Sequence, residues 1–238
     1  MTDNTKRLQL NLLLTRPSAG SEAFWQALPG EVRSLVVPIF SPLIKIIPIE
    51  STPDIEGCVI FSSVNGVENS PLGDGRIAYC VGEMTTNAAV SAGWNASQVG
   101  ETANQLVTVL AALPEKTVFT HLSGTHARGN IAQLLSVAGH YTRRIAVYDQ
   151  LQCKFTSEAT EAITSNFPLL IPLFSPRTAL AFVEQDNGQA PRHLIALSED
   201  VAAPVRKLNW SSLTVCAAPT RGMMIDAVQK VVTCMTLG

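Results

Sequence analysis

Short apolar runs rich in β-branched residues alternate along this chain with longer segments in which apolar residues recur at helical spacing. This alternation is typical of parallel sheets with helices on their faces, because such strands are buried on both sides. We therefore predict an α/β fold. The pattern predicts strands at about 10–15, 34–39, 57–61, 77–81, 97–99, 116–121, 144–148, 168–173, 193–197 and 213–216, and helices at about 20–28, 64–69, 84–92, 102–112, 127–138, 158–165, 176–184, 199–207 and 220–235.

The pattern also repeats. Phe61-Ser62 follows one apolar strand and opens a helix, and Phe174-Ser175 does the same later in the chain. Each copy continues into a second strand and a helix that ends near a tryptophan, Trp94 in the first copy and Trp210 in the second. The copies lie about 115 residues apart, far more than the period of a solenoid, so they predict a duplicated half and two similar lobes.

Two stretches, 41–50 and 148–155, alternate apolar and polar residues. That alternation favours extended connectors exposed to solvent. We expect them to cross between the two lobes as a pair.

The composition of the chain excludes several classes of partner. Hydrophobic residues make up 46% of the chain and charged residues 15%, and the formal net charge is −2, so nucleic acid and anionic membranes are not expected partners. No apolar run is long enough to span a bilayer. The five cysteines are widely spaced and the four histidines form no metal-binding motif, so we expect reduced thiols, no metal and a cytoplasmic protein.

Ligands of parallel α/β sheets bind at the carboxyl ends of strands, where helix N-termini present free N–H groups. Small, hydroxyl-bearing and basic residues occupy those positions here, and the candidates are Thr15, Arg16, Ser62, Ser63, Gly82, Thr85, Gly124, Arg128, Ser175 and Arg177. Ordinary N-capping is the alternative explanation for the serines and threonines.

Tyr148 ends an apolar strand close to one predicted crossing. A phenol is protonated at neutral pH and can act as a general acid, so Tyr148 is the candidate catalytic residue. Packing of its ring at a domain junction is the alternative. Patterns typical of serine hydrolases and of phosphate-binding loops are missing from the sequence.

At these positions the chain resembles bacterial uroporphyrinogen-III synthases over nearly its whole length. The resemblance runs through Leu12-Leu13-Leu14-Thr15-Arg16-Pro17, Val59-Ile60-Phe61-Ser62-Ser63 with Gly66-Val67, Tyr79-Cys80-Val81-Gly82 with Thr85, Gly124 and Arg128, Val147-Tyr148, and Phe174-Ser175-Pro176. It rests on the order and spacing of these segments, since no single motif is diagnostic.

The resemblance implies two α/β lobes with parallel sheets flanked by helices, joined by a two-stranded β-ladder hinge. Lobe one would comprise 1–40 and 157–238, lobe two 46–147, and the hinge connectors 41–45 and 148–156. The first βα unit of each half would belong to the other half's lobe.

The resemblance also implies the reaction: closure of the linear tetrapyrrole hydroxymethylbilane to uroporphyrinogen III, with loss of water and inversion of ring D, without metal or cofactor. Tyr148 matches the proposed proton donor, Ser63, Thr85 and Ser175 match cleft hydroxyls, and Arg16 and Arg128 are candidates for carboxylate contact. A monomer supplied by an upstream hydroxymethylbilane synthase is expected.

One segment departs from the family. Where relatives usually have a Gly-x-Thr-Thr or similar turn, this chain has Ser198-Glu199-Asp200-Val201, and two carboxylates there would repel an acidic substrate. A non-catalytic two-lobed binding protein, or a regulatory protein derived from the same fold, is therefore the alternative function.

Overall fold

The computed structural model describes residues 10–50, 53–127 and 129–237, and strands and helices alternate through these parts of the chain. The predicted α/β class is confirmed. The strands are β1 (Leu10–Leu14), β2 (Val36–Phe40), β3 (Ile44–Pro48), β4 (Cys58–Phe61), β5 (Ile77–Val81), β6 (Asn95–Gly100), β7 (Val118–Gly124), β8 (Tyr141–Gln152), β9 (Leu169–Leu173), β10 (Arg192–Ala196) and β11 (Ser212–Val215). The helices are α1 (Ser18–Ala27), α2 (Gly30–Arg33), α3 (Val64–Glu68), α4 (Glu83–Ser91), α5 (Ala103–Ala111), α6 (Ile131–Val137), α7 (Ser157–Thr164), α8 (Pro176–Val183), α9 (Glu199–Val205) and α10 (Arg221–Leu237).

The chain forms two compact units. Unit 1 comprises Met1–Lys45 and Gln152–Gly238, and unit 2 comprises Ile46–Leu151. Unit 1 contains a five-stranded sheet of order β11-β10-β9-β1-β2, and unit 2 contains a six-stranded sheet of order β3-β8-β7-β4-β5-β6. The chain passes between the units twice, within β3 and at the end of β8.

The two sheets share one strand order, which makes the sequence repeat visible in the topology. Unit 1 has the order β2-β1-β9-β10-β11 where unit 2 has β8-β7-β4-β5-β6, with β3 added beside β8. The strands β9 to β11 thus correspond to β4 to β6, and β1 and β2 correspond to β7 and β8. Strands from the beginning of the chain complete a sheet whose other strands come from its last third.

The connector prediction is confirmed for the extended conformation and for the pairing, and it is wrong only for the exposure. The stretch 41–50 contains β3, and 148–155 continues β8, so both belong to the six-stranded sheet instead of forming exposed links. The Ile49 N–H donates to the Val147 carbonyl at 3.0 Å, and the Cys153 N–H donates to the Leu43 carbonyl at 2.9 Å. These bonds join the two segments in opposite order along the chain, which is the pattern of an antiparallel pair.

Alternating side chains of the unit 2 strands form two cores, one on each face of the sheet. The first face carries Phe61, Trp94, Leu122, Val147 and Tyr148. The second face carries Ile60, Leu106, Leu110, Phe119 and Leu135. In unit 1, a corresponding core joins β1, β9 and β10 to α1 and α10 and includes Leu12, Phe24, Leu170, Ile195 and Val228.

Several predicted boundaries shift. The helix predicted at 127–138 begins at Ile131, because Gly129 and Asn130 have φ angles of 85° and 44° and cannot continue a right-handed helix. The strand predicted at 144–148 extends over Tyr141–Gln152, and the short helix Gly30–Arg33 was not predicted. No helix within the described residues is both long enough and apolar enough to cross a membrane.

Candidate active site

Tyr148 lies within β8, and its ring is buried in the first core of unit 2 with 6% of its surface exposed. In the sheet it stands opposite Gly124 of β7, just after a shift in strand register. A Cβ on residue 124 would lie 2.6 Å from Cε2 and 2.7 Å from Cζ of the tyrosine ring. The ring therefore occupies space that only a glycine leaves open.

The Tyr148 hydroxyl is 3.2 Å from the hydroxyl of Ser63. Ser63 is the N-cap of α3, and its oxygen accepts a hydrogen bond from the Gly66 N–H at 3.2 Å. A hydroxyl that accepts from an N–H still has its own hydrogen to donate. If Ser63 gives this hydrogen to the phenol oxygen, the phenol hydrogen stays available for a substrate.

The strand ends beside Tyr148 carry a polar network that sequence reasoning missed. The Thr125 hydroxyl donates to the Asp149 carboxylate, and the Thr125 N–H donates to the Tyr148 carbonyl at 3.0 Å. His126 Nε2 lies 3.8 Å from the same carboxylate. Thr125 and Asp149 directly follow Gly124 and Tyr148 in sequence, and that adjacency was the available signal.

Gly82 and Thr85 lie at the end of β5. Gly82 adopts a left-handed φ of 76° and is the N-cap of α4, where its carbonyl accepts from the Thr86 hydroxyl at 3.0 Å. Thr85 is buried, with 5% of its surface exposed. In the strand order β8-β7-β4-β5, Tyr148 lies within β8 opposite the end of β7 at Gly124, and Ser63 and Gly82 follow the ends of β4 and β5.

Ser62 differs from Ser63. Its hydroxyl is 2.9 Å from Nε2 of His121, a residue of β7 whose neighbour Leu122 belongs to the first core. Because side chains alternate along a strand, His121 and Ser62 belong to the second face, away from the Tyr148 ring. Burial, with a smaller effect from Arg144, lowers the pKa of His121 to about 4.

Two predicted residues of unit 1 follow β1. The Thr15 side chain is fully buried, and its carbonyl accepts from the Leu43 N–H at 3.0 Å. The Arg16 guanidinium stacks on the Phe174 ring, with 4.2 Å from Cζ to the ring centroid. Burial, and then the nearby charge of Arg221, lower the pKa of Arg16. Arg221 was missed because it lies at the start of α10, far away in sequence.

Ser175 is the N-cap of α8. Its oxygen accepts from the Thr178 N–H at 3.1 Å, and the two hydroxyls are 2.9 Å apart. Ser175 therefore corresponds to Ser63, because both are helix N-caps. The Phe-Ser repeat in the sequence instead matches Ser175 with Ser62. Arg177 lies in the first turn of α8. Arg128, the remaining candidate, lies outside the described residues.

The segment Ser198–Val201, which differs from the family pattern, forms the start of α9. Ser198 is the N-cap of this helix, but its side chain makes no capping hydrogen bond. The Glu199 carboxylate pairs with Arg206, about two turns later in the same exposed stretch. That pairing partly offsets one of the two negative charges. Within the residues that the structure describes, no group of three or more histidine, cysteine or carboxylate side chains could hold a metal ion.

Comparison with known proteins gives a consistent result. The profile of one family, uroporphyrinogen-III synthase HemD, matches residues 33–226. Uroporphyrinogen-III synthetase from Helicobacter pylori 26695 aligns with a TM-score of 0.65 at 15% identity, covering 94% of this chain and 99% of that one. A mutant uroporphyrinogen III synthase from the extremely thermophilic bacterium Thermus thermophilus aligns with a TM-score of 0.55 at 12% identity, covering 95% and 99%. Sequence comparison with curated proteins gives no significant match.

The solved structures share the two-sheet α/β fold at low identity, whereas the family profile covers most of the chain by sequence. This chain belongs to the uroporphyrinogen-III synthase family.

Proposed function

We propose that Tyr148 is the acid with which this family member closes hydroxymethylbilane to uroporphyrinogen III. The observation that carries this role is the hydroxyl pair of Tyr148 and Ser63, 3.2 Å apart, with the phenol ring seated on Gly124. Ser63 is itself fixed by the Gly66 N–H, so the phenol oxygen has a defined partner and a defined direction for its hydrogen. The resemblance stated from the sequence assigns the proton donor to the same residue.

The proposed reaction balances without an added reagent. The hydroxyl of the terminal hydroxymethyl group leaves as water when its oxygen receives the phenol proton, while the pyrrole nitrogen supplies electrons to the carbon left behind. That carbon bonds to the ring-D carbon that already carries the bridge to ring C, which gives a spiro intermediate. The bond between this ring-D carbon and the bridge then breaks, and the bridge carbon bonds to the opposite α carbon of ring D, so that ring D is inverted. The proton released from that α carbon when the pyrrole regains aromaticity returns to the phenolate. The protein's contribution is a placed acid and a fixed substrate conformation, because unguided closure gives the type I isomer.

The substrate is a polyacid, yet the chain has a net charge of −2. We therefore propose that individual groups bind its carboxylates: the guanidinium groups of Arg16, Arg128 and Arg177, and the hydroxyl and N–H groups at Thr15, Ser63, Gly82, Thr85, Gly124 and Ser175. Ser62 is not among them, because its hydroxyl is bonded to His121 on the opposite face of the sheet. Arg16 is the strongest of these, since a half-buried guanidinium stacked on Phe174 with Arg221 nearby favours an anion. N–H groups at the starts of α4 and α8 add partial positive charge.

The wider setting is also a proposal. Unit 1 and unit 2 would act as the two lobes that the resemblance implies, with β3 and β8 as the hinge. A reactive linear substrate favours direct supply from hydroxymethylbilane synthase in the cytoplasm, and a monomer suffices because each proposed group comes from one chain. Size-exclusion chromatography with light scattering tests the monomer, and a dimer would contradict it.

The decisive experiment supplies purified protein with freshly generated hydroxymethylbilane and separates the products by isomer. Tyr148→Phe should lower turnover by about 10²–10⁴-fold with little change in melting temperature, because the ring stays and the proton is lost. Tyr141→Phe is the matched control, since that tyrosine lies at the exposed start of the same strand. Type I product from the wild-type protein would favour the non-catalytic alternative, and a fully active Tyr148→Phe would exclude the phenol as the acid.

A further inference from the structure

A second polar cluster lies on the other face of the unit 2 sheet, away from Tyr148. A cavity of about 230 Å³ is lined by His121, Ala127, Asn130, Ile131, Ala132, Gln133 and Arg144. Liquid water occupies about 30 Å³ per molecule, so the cavity has room for several waters or one small organic molecule. The proposed reaction uses none of these residues.

His121 is the unexplained group in this cavity. Its side chain is 1% exposed, and Nε2 is bonded to the Ser62 hydroxyl at 2.9 Å. Its other ring nitrogen, Nδ1, is buried and has no hydrogen-bond partner among the described residues. Buried polar atoms are rarely left without a partner, because the loss of hydration is then uncompensated. The lone nitrogen therefore points to a ligand that completes it.

The protonation state of the His121 ring determines whether the ligand must offer a hydrogen-bond donor or an acceptor. His121 is neutral at physiological pH, since its pKa is lowered to about 4. A neutral imidazole has one donor and one acceptor nitrogen. When Nε2 accepts from the Ser62 hydroxyl, Nδ1 carries the hydrogen, and the ligand must offer an acceptor.

The charge of the lining indicates the ligand's charge. With His121 neutral, Arg144 supplies the single full charge among the described residues that line the cavity, and no carboxylate lines it. Arg144 donates one bond to the Thr125 carbonyl at 3.2 Å, which leaves other guanidinium hydrogens for a ligand. The amide side chains of Asn130 and Gln133 add donors of neutral charge. One positive charge with neutral donors suits a monoanion.

We propose that this cavity, defined by His121, Arg144, Asn130 and Gln133, is a binding site for a free small monocarboxylate. One carboxylate oxygen accepts from the Arg144 guanidinium, the other accepts from the His121 Nδ1–H, and the short apolar part of the ligand lies against Ala127, Ile131 and Ala132. The site is separate from the proposed Tyr148 site because its two strand residues, His121 and Arg144, are paired in the sheet and project from the opposite face.

The test uses sodium propionate and the full chain labelled with ¹⁵N. Long-range ¹H–¹⁵N spectra report the tautomer and the environment of each histidine ring, and His121→Gln identifies the His121 signals. We expect Nδ1 to carry the proton and to shift saturably with propionate, with a dissociation constant on the order of 1–10 mM. Sodium chloride at equal ionic strength should not produce this shift.

Two adjacent arginines provide a matched pair of variants. Arg144→Gln should weaken propionate binding by about tenfold or more, because a charge-assisted bond is lost. Arg143→Gln should leave it unchanged, because Arg143 is the preceding residue of β8 and pairs instead with Asp54 at 3.2 Å and Glu56 at 3.4 Å. Melting curves of both variants verify that the fold is retained.

Three results would overturn the proposal. They are an Nδ1 without a proton, a propionate shift reproduced by chloride, and equal binding by Arg144→Gln and the wild-type protein. Competition between propionate and hydroxymethylbilane would overturn it in another way, because the site would then belong to a carboxylate arm of the substrate. Saturating propionate should leave the KM for hydroxymethylbilane unchanged, and this result keeps the inference independent of the proposed role of Tyr148.

Discussion

Replacing Gly124 by alanine tests whether the position of the tyrosine ring, and not its presence alone, controls the reaction. The added Cβ would lie 2.6, 2.7 and 3.0 Å from Cε2, Cζ and Oη of Tyr148. Carbon atoms pack comfortably at about 3.5 Å, so the ring must retreat by about 0.9 Å. The 3.2 Å bond between the Tyr148 and Ser63 hydroxyls would not survive such a shift intact.

The expected effect follows from that displacement. A misplacement of about 1 Å in a reacting group lowers turnover by about 10²-fold, and overpacking of this kind destabilises a core by about 1–3 kcal/mol. We therefore expect Gly124→Ala to lose about two orders of magnitude in kcat and to melt several degrees lower. Turnover with freshly generated hydroxymethylbilane and thermal unfolding measure the two effects separately.

A control and a double variant sharpen the test. Gly30→Ala places a Cβ in open space and should leave kcat and product isomer unchanged. If the alanine acts by moving the phenol, Gly124→Ala combined with Tyr148→Phe should be no slower than Tyr148→Phe alone, because neighbouring effects of this kind are not additive. Losses that multiply in the double variant, or a folded Gly124→Ala with wild-type turnover, would refute the reasoning.

Three further predictions concern residues elsewhere in the structure. His121 binds a proton below about pH 6.5 in the unfolded chain, whereas the folded side chain stays neutral until about pH 4. The free energy of unfolding should therefore fall by up to about 3 kcal/mol as the pH is lowered from 6.5 to 4. Urea titrations measure this fall, and an equal fall in His121→Gln would contradict this cause. Arg16→Gln should raise the KM for hydroxymethylbilane by about tenfold with a smaller change in kcat, because the charge-assisted contact to a carboxylate is lost; an unchanged KM at low salt would argue against that contact. Ser175→Ala should lower the free energy of unfolding by about 0.5–2 kcal/mol through loss of the α8 cap, as measured by urea titration, and an unchanged stability would mean that the cap bond contributes nothing.

The layered fold could be predicted from the sequence because periodicity reports burial directly. Strands such as Leu169–Leu173, with five buried residues in a row, are apolar throughout as the parallel arrangement requires. The strands β3 and β8 were harder to predict. Tyr141–Gln152 includes exposed and half-buried positions, so its sequence alternates, and alternation alone does not distinguish a paired strand from a free connector.

Candidate site residues could be predicted where they directly follow a strand in the sequence. Their contacts could not be predicted where these depend on strand register, on the face of the sheet or on residues far apart in the chain. Gly124 and Tyr148 were singled out separately, but their contact depends on the register of β7 against β8, which the sequence does not report. The sequence does not distinguish Ser62 from Ser63, but consecutive side chains point to opposite faces of the sheet. The Ser62 hydroxyl therefore contacts His121, and the Ser63 hydroxyl contacts the phenol of Tyr148. Arg16 and Arg221 lie in one neighbourhood although some two hundred residues separate them.

The positions of the strands along the chain determine which of the two sheets can be completed first during synthesis. Unit 2 is one uninterrupted segment, Ile46–Leu151, and has all of its strands as soon as that segment leaves the ribosome. The β1 strand, made earlier, must wait for β9, because Asn11 and Leu12 pair with Leu169 and Leu170. Closing so long a loop is slow, and until then β1 can pair along one edge only, with β2 through Leu10–Leu14 and Val36–Phe40. The other edge of this apolar strand therefore stays unpaired in the nascent chain until the last third of the residues has been made.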